Sequence, residues 1–319
     1  MRESLLYEAP PGALGVRPAS TRAGFIPARI SLPEGKNDMQ TVKTAKELSE
    51  LCRSWHRDGQ TVALVPTMGY YHDGHAALMD KARGLGDKVV VSLFVNPTQF
   101  GPNEDYASYP RDFERDRAVA EAHGADALFA PEPAELYAPD AATWVEVPEM
   151  STVLCGASRP IHFRGVCTVC TKLFMLTQAD YAVFGEKDWQ QQAILRRMVR
   201  DLFYPVAIVS VPVQRAEDGL ALSSRNVYLT AEERAQAPEI QAGLRYARSL
   251  VEQGETRVSV LRDAVLRRWA SRLPLGRLDY LYVVDPASLA ALDEVKGPAL
   301  MACAVKVGKA RLIDNILLK

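Results

Sequence analysis

Thr61-Val-Ala-Leu-Val-Pro-Thr-Met-Gly-Tyr-Tyr-His-Asp-Gly-His75 is the stretch that decides the fold. Residues 61–65 are β-branched or apolar without polar alternation, the pattern of a strand buried on both faces of a parallel sheet. Pro66-Thr-Met-Gly69 then reads as a turn, and a helix is expected to begin near His75. In open α/β sheets, ligands collect at the carboxyl ends of strands, where helix N-termini offer free N–H groups to phosphate. His72 and His75 add two imidazoles one turn apart, with Gly74 between them to let a nucleotide approach the backbone. Imidazole donates to phosphate oxygens, and as a cation would stabilise the charge that builds when an α-phosphate is attacked. A zinc pair would need further ligands, and none of suitable type stands nearby in the sequence; no metal ligand is assigned.

Outward from this stretch, helix and strand patterns alternate. On the N-terminal side, Thr44 and Glu47 form a capping box before a helix whose apolar face carries Ala45, Leu48, Leu51, Cys52 and Trp55. On the other side come a strand at 89–95, an exposed helix at 111–123 and short strands at 127–130 and 143–147. Helix 165–178, strand 181–184, helix 188–203 and strand 206–213 follow. This alternation predicts an α/β fold with a doubly wound, Rossmann-like parallel sheet over residues 39–214. From residue 215 the grouping changes to helices at 231–253 and 257–272, a strand at 278–284, a short helical stretch after Pro286 and a hairpin of 299–306 with 310–317. That predicts a smaller α+β domain over 215–319. Residues 1–38 carry five prolines and four glycines without an apolar period, which predicts a poorly ordered extension and marks Met39 as a candidate start of a shorter product.

The chain has 319 residues, 38 Lys plus Arg against 39 Asp plus Glu, and a formal net charge of -1, so no strong basic field points to nucleic acid. No apolar run approaches the roughly 18 residues of a membrane span. The five cysteines are odd in number and sparse, which points to a reducing, cytoplasmic setting; Cys167 and Cys170 fall on what reads as the apolar face of a helix.

Three further clusters carry polar chemistry. Gly185-Glu-Lys-Asp188 lies at another carboxyl strand end, where Lys187 reaches phosphate as a point charge and Asp188 caps a helix or binds a ribose hydroxyl. Ser223, Ser224 and Arg225, in Asp218-Gly-Leu-Ala-Leu-Ser-Ser-Arg-Asn226, offer donors to phosphates on a segment that Gly219 lets close. Asn96 and Gln99 are neutral amides suited to a small substrate bearing hydroxyl and carboxylate groups. His162 and Arg164 either act in the site or anchor their loop.

Taken in order, PTMGYYHDGH, FVNPTQFG, HFRGV, GEKDWQQ, DGLALSSRN and ARLIDN resemble the pantothenate synthetase (pantoate–β-alanine ligase) family from Met39 to the C-terminus. That family shares its HxGH signature with class I aminoacyl-tRNA synthetases. The resemblance implies that ATP, accompanied by Mg2+, activates pantoate as an adenylate that β-alanine then captures. It implies an ATP-binding segment of Met68, Gly69, Tyr70, Tyr71, His72, Asp73, Gly74 and His75, with His75, His72 and Lys187 catalytic. Gly185, Glu186, Lys187 and Asp188 would contact adenosine and phosphate, Gln214 would meet adenine through its backbone, and Leu222, Ser223, Ser224 and Arg225 would close over the triphosphate. Gln99, Gln191 and Asn96 would hold pantoate or β-alanine. A homodimer is implied as well. Tyr71, Trp189, Cys167 and Cys170 depart from the commonest family pattern, all as apolar or aromatic replacements. The composition predicts that removing residues 1–38 leaves both activity and melting temperature unchanged, which assays of the shortened chain check.

Overall fold

The computed structural model describes residues 39–102 and 104–319; the expectation for residues 1–38 lies outside them. The central strand β2 (Val62–Thr67) has β3 (Lys88–Leu93) on one side and β5 (Tyr181–Gly185) on the other. With β1 (Gln40–Val42), β4 (Ala127–Phe129) and β6 (Ala207–Val211) they form a six-stranded sheet in the order β1-β4-β3-β2-β5-β6. Each adjacent pair runs parallel. β2 is apolar from Val62 to Pro66 because both its faces are covered. Val62 and Leu64 pack with one cluster, which includes α1 (Ala45–Arg57) residues Leu48, Cys52 and Trp55, while Ala63 and Val65 pack with another, which includes α2 (Asp73–Arg83) residues Leu78, Met79 and Ala82. The same alternation separates Ala182 and Phe184 from Val183 on β5. The fold class is therefore as the pattern predicted, a doubly wound parallel sheet.

On the first face α1 is joined by α7 (His162–Thr177) and α8 (Trp189–Asp201); on the second, α2 is joined by α3 (Phe113–Ala122). Short helices α4 (Pro133–Leu136), α5 (Pro148–Ser151) and α6 (Cys155–Ser158) fill the connection between β4 and α7. After β6 come α9 (Ala231–Gln236), α10 (Glu239–Glu252) and α11 (Val258–Arg272), followed by a three-stranded antiparallel sheet of β7 (Gly276–Val284), β8 (Leu300–Val307) and β9 (Ala310–Leu317) with β8 in the middle. Leu244, Leu261, Val265 and Trp269 from the helices cover this sheet. All these elements belong to one compact unit.

Three expectations need correction. Residues 143–147 form no strand: the Val145 N–H donates to the Thr168 hydroxyl at 3.1 Å, so the half-buried Val145 and Val147 pack against the helical layer without a strand partner. The segment after Pro286 is a turn, not a helix, because Asp285 Oδ1 accepts from the Ala287 and Ser288 N–H groups at 3.0 and 2.7 Å. The long helix expected over 231–253 is two helices that part at Pro238, which has no N–H to continue the ladder. Cys167 and Cys170 are both buried in α7, and burial pushes the Cys167 thiol up to about 12.

β2 organises both faces, so a hole in it is felt by the whole sheet. Leu64→Ala should cost about 2–5 kcal/mol of stability, read from the urea midpoint, because the site is fully buried and cannot collapse.

Candidate active site

The order in which strands are added across the sheet reverses between β2 and β5, the switch point at which open α/β sheets bind ligands. A cavity of about 510 Å3 opens there, lined by Met68 and His75 after β2, Asn96 and Gln99 after β3, Gly185, Lys187, Asp188 and Gln191 after β5, and Ser223 and Arg225 beyond β6. Residues far apart in sequence therefore converge.

The turn after β2 is held from behind. Gly69 has φ +86, and a Cβ there would stand 2.4 Å from Leu93 Cδ1, so only glycine fits. The next two N–H groups, of Tyr70 and Tyr71, donate to the Asp116 carboxylate at 2.6 and 2.7 Å. Asp116 is 1% exposed, and burial raises its carboxyl above the usual range despite those two bonds. It sits on the helix expected to be solvent-facing, so sequence reasoning missed it. Tyr71 is itself core, with its hydroxyl 3.0 Å from Thr67 Oγ1.

His72 and His75 open α2 as a reciprocal cap. His72 Nδ1 accepts from the Gly74 N–H at 3.0 Å, and His75 Nδ1 accepts from the His72 N–H at 3.4 Å, with ring centroids 4.2 Å apart. An imidazole that accepts at Nδ1 carries its proton at Nε2 when neutral, so both rings offer an Nε2–H donor. Burial, then Lys187, pushes His72 down to about 4; burial, then His72 and Lys187, pushes His75 well below its ordinary value. In this state both imidazoles are therefore neutral near pH 7, placed for the first of the two roles expected of them, donation from N–H. Gly74 also has a role within the protein itself, since a Cβ there would meet the His72 ring at 2.7 Å.

Lys187 and Arg225 both line the cavity, and each has a carboxylate partner. Lys187 Nζ lies 3.0 Å from Asp188 Oδ2. Burial alone would raise the Asp188 carboxyl, but Lys187, with His162 and Arg225 beyond it, holds it below the usual range. Arg225 donates through Nε and Nη2 to the two Asp105 oxygens at 2.9 Å each and stacks on Tyr109 at 5.5 Å. Of the two serines beside it, Ser223 caps the Arg225 N–H at 3.2 Å, and Ser224 is buried with its hydroxyl 3.1 Å from Tyr109 Oη.

The amide side of the cavity is built on Gln99. Asn96 Nδ2 donates to Gln99 Oε1 at 3.2 Å and to the Gly165 carbonyl at 3.1 Å, which leaves Gln99 Nε2 directed toward Met68 Sδ at 2.9 Å. The Gln99 carbonyl accepts from His162 Nδ1 at 3.0 Å and from Arg159 at 3.2 Å. Gly165 permits this approach, since a Cβ would stand 2.5 Å from the Thr98 carbonyl. His162 is therefore an anchor of Gln99, neutral and pushed by burial down to about 3, while Arg164 stacks on Trp144 at 4.7 Å. Among three consecutive glutamines, Gln190 binds the Met150 and Val153 carbonyls and Gln192 the Phe184 carbonyl, whereas Gln191 has no side-chain hydrogen bond among the described residues.

A sequence-family model for pantoate-beta-alanine ligase matches residues 40–317. This chain belongs to the pantoate-beta-alanine ligase family. A pantothenate synthetase of Desulfovibrio desulfuricans is 65% identical over 280 residues, covering 88% of this chain and 99% of that protein. One from Nitratidesulfovibrio vulgaris is 58% identical with the same coverage. Among solved structures, the pantothenate synthetase of Thermus thermophilus superposes with a TM-score of 0.83 at 46% identity, covering 88% of this chain and 99% of that one. The pantoate-beta-alanine ligase of Francisella tularensis, complexed with beta-gamma ATP and beta-alanine, gives 0.71 at 32% identity and covers 88% and 98%.

Within this ligase-family chain, several nominated residues stand outside the cavity lining. Gly69, Tyr70, Tyr71, His72, Asp73 and Gly74 shape the wall behind His75; Glu186, Leu222 and Ser224 flank lining residues. Gln214 gives its carbonyl to the Leu222 N–H at 2.9 Å, which leaves only its N–H as a free backbone donor. Conversely, Arg159, Asp279 and Arg311 line the cavity without having been nominated. Arg311 pairs with Asp279 at 2.9 Å through Nε and belongs to ARLIDN, the one sequence signal that could have found it.

Burial holds three histidines neutral, His72, His75 and His162, and so sets a pH dependence. His162 and His72 titrate near 6.5 when unfolded and near 3 and 4 when folded, so the unfolded state binds more protons below 6.5. Their contribution is complete above that pH and is lost as pH falls toward 3. Urea midpoints should drop across this window, and His162→Asn should reduce the slope by about one proton, or roughly 1.4 kcal/mol per pH unit.

Proposed function

We propose that this chain condenses pantoate with β-alanine, driven by ATP, through a pantoyl-adenylate intermediate. The observation that carries the reading is that His75, with neutral His72 beside it, two cations and the amides of Gln99 and Gln191 meet at the sheet's switch point, with the Gln191 side chain making no hydrogen bond among the described residues. ATP arrives with Mg2+ on its phosphate and water oxygens; among the described residues no group of three or more His, Cys, Asp or Glu is disposed to hold a metal. The β-alanine and ATP analogue carried by the Francisella tularensis relative agree with this choice of substrates.

In the first step a pantoate carboxylate oxygen attacks the α-phosphorus, and the bond to the bridging oxygen breaks to release pyrophosphate. His75, with His72 beside it, donates from Nε2 to the phosphate oxygens as charge builds on them, and Lys187 and Arg225 balance the rest. Phosphate beside the imidazoles opposes the lowering that burial imposes, so their proton affinity rises once ATP is bound. Gln99 and Gln191 hold pantoate through its hydroxyl and carboxylate groups, with Asn96 fixing the orientation of Gln99. In the second step the β-alanine amine attacks the acyl carbon, AMP leaves with the bonding pair, and the amine loses a proton. Adenosine lies along Gly185–Asp188 and the Gln214 backbone. Residues 215–319 act as a lid whose Leu222–Arg225 segment excludes water from the adenylate. The same reading includes a cytoplasmic homodimer, which sedimentation tests.

Incubation with ATP, pantoate and β-alanine should release AMP in equal amount to pantothenate; AMP that appears only with a different acid defeats the choice of pantoate. His75→Ala should lower pantoate-dependent pyrophosphate exchange by about 10²–10³-fold with the circular dichroism spectrum unchanged, the usual loss for one transition-state donor.

A further inference from the structure

The ARLIDN run at residues 310–315 has no part in the steps above, yet it ends on a buried amide in contact with the cavity wall. Asn315 lies on β9, paired with Ala302 of β8, and is 7% exposed. Its Nδ2 donates to the Glu186 carbonyl at 2.9 Å and to the Lys187 carbonyl at 3.0 Å. Those carbonyls belong to the 3-10 turn Glu186–Asp188, which has no side-chain cap of its own. Its neighbour Asp314 chelates Arg215 with bonds of 2.7 and 2.8 Å and accepts the Asn315 N–H at 2.8 Å. The amide is thus fixed on its own strand before it reaches across 129 residues of chain.

We propose that Asn315 is a positioning residue for Lys187: two donors from one planar amide set the height and tilt of the turn, and so the point from which the lysine stem starts. Lysine is a point charge on a flexible four-carbon stem, so its aim depends on where its Cα is held. An aspartate at 315 would turn carboxylate oxygen toward two carbonyl oxygens, and an alanine would leave the turn without either bond. The inference rests on the adenylating reading of the cavity, in which Lys187 acts on phosphate.

A double-mutant cycle on pantoate-dependent ATP–pyrophosphate exchange tests it, with Asn315→Ala, Lys187→Ala and the double variant, followed by labelled pyrophosphate. Asn315→Ala should lower kcat by about tenfold or more with KM for pantoate within about twofold, and Asn315→Asp should lower it at least as far. In the Lys187→Ala background the same change should matter by less than about twofold, because its effect runs through an ammonium no longer present. An equal loss in both backgrounds overturns the proposal, since a purely structural amide would act alike in each. Should Asn315→Ala fail to fold by circular dichroism, Asn315→Ser carries the same cycle with the same criterion. An active wild type with an additive cycle refutes only the role of Asn315; a wild type without exchange refutes the adenylating reading and this proposal with it.

Discussion

Burial of β2 on both faces is the constraint on which the rest of the structure depends. β2 is covered on each face and paired along both edges, so its carboxyl end lies inside the sheet and not at its margin. Its two neighbours, β3 and β5, belong to chain segments about 90 residues apart, and each places its own carboxyl end beside that of β2. The turn carrying His72 and His75, the amides after β3 and the turn carrying Lys187 therefore meet as a consequence of hydrophobic packing. Chemistry is then added at loops whose positions the core has already decided.

The electrostatics of that meeting point follow from low polarisability. Bringing four basic groups together under partial burial would be costly if all were charged. Two respond by staying neutral, since burial holds His72 and His75 below their ordinary titration range. The other two keep their charge and take carboxylate partners, Asp188 for Lys187 and Asp105 for Arg225. Any polyanion placed here would compete for the cations and favour protons on the imidazoles, so the charge state of the site is sensitive to what occupies it.

Much of this was legible in the residues, and the remainder was hidden for identifiable reasons. The doubly wound sheet could be read because β2 and β3 are continuous apolar runs, and the cavity because HxGH, GEKD and SSR each follow a strand. Asp116 was hidden because a helix of mixed polarity looks solvent-facing until the turn it satisfies is packed against it. Residues 143–147 have the alternation of a strand but bond to Thr168, a long-range partner that no local pattern reveals. The neutrality of the histidines is likewise a property of burial, invisible in spacing alone. Gln190, Gln191 and Gln192 are the same residue type in a row, and only tertiary contacts separate the two that serve carbonyls from the one that lines the cavity without a side-chain hydrogen bond among the described residues.

Amides recur at every joint of the site, and the reason is physical. Asn96, Gln99, Gln190, Gln192 and Asn315 each satisfy buried carbonyls or other amides. A carboxylate in these places would repel both the carbonyls and an anionic substrate; a lysine or arginine would add charge to a region already rich in it. A neutral group with a donor and an acceptor on one rigid plane orients its neighbour without altering the local potential. These amides can therefore hold the cavity wall rigid without adding charge, which leaves the field in the cavity to its ionised side chains, Lys187 and Arg225 among them. Lys187 and Arg225 each stand beside a carboxylate, whereas the amides that orient Gln99 and hold the Lys187 turn are uncharged and leave those pairs undisturbed.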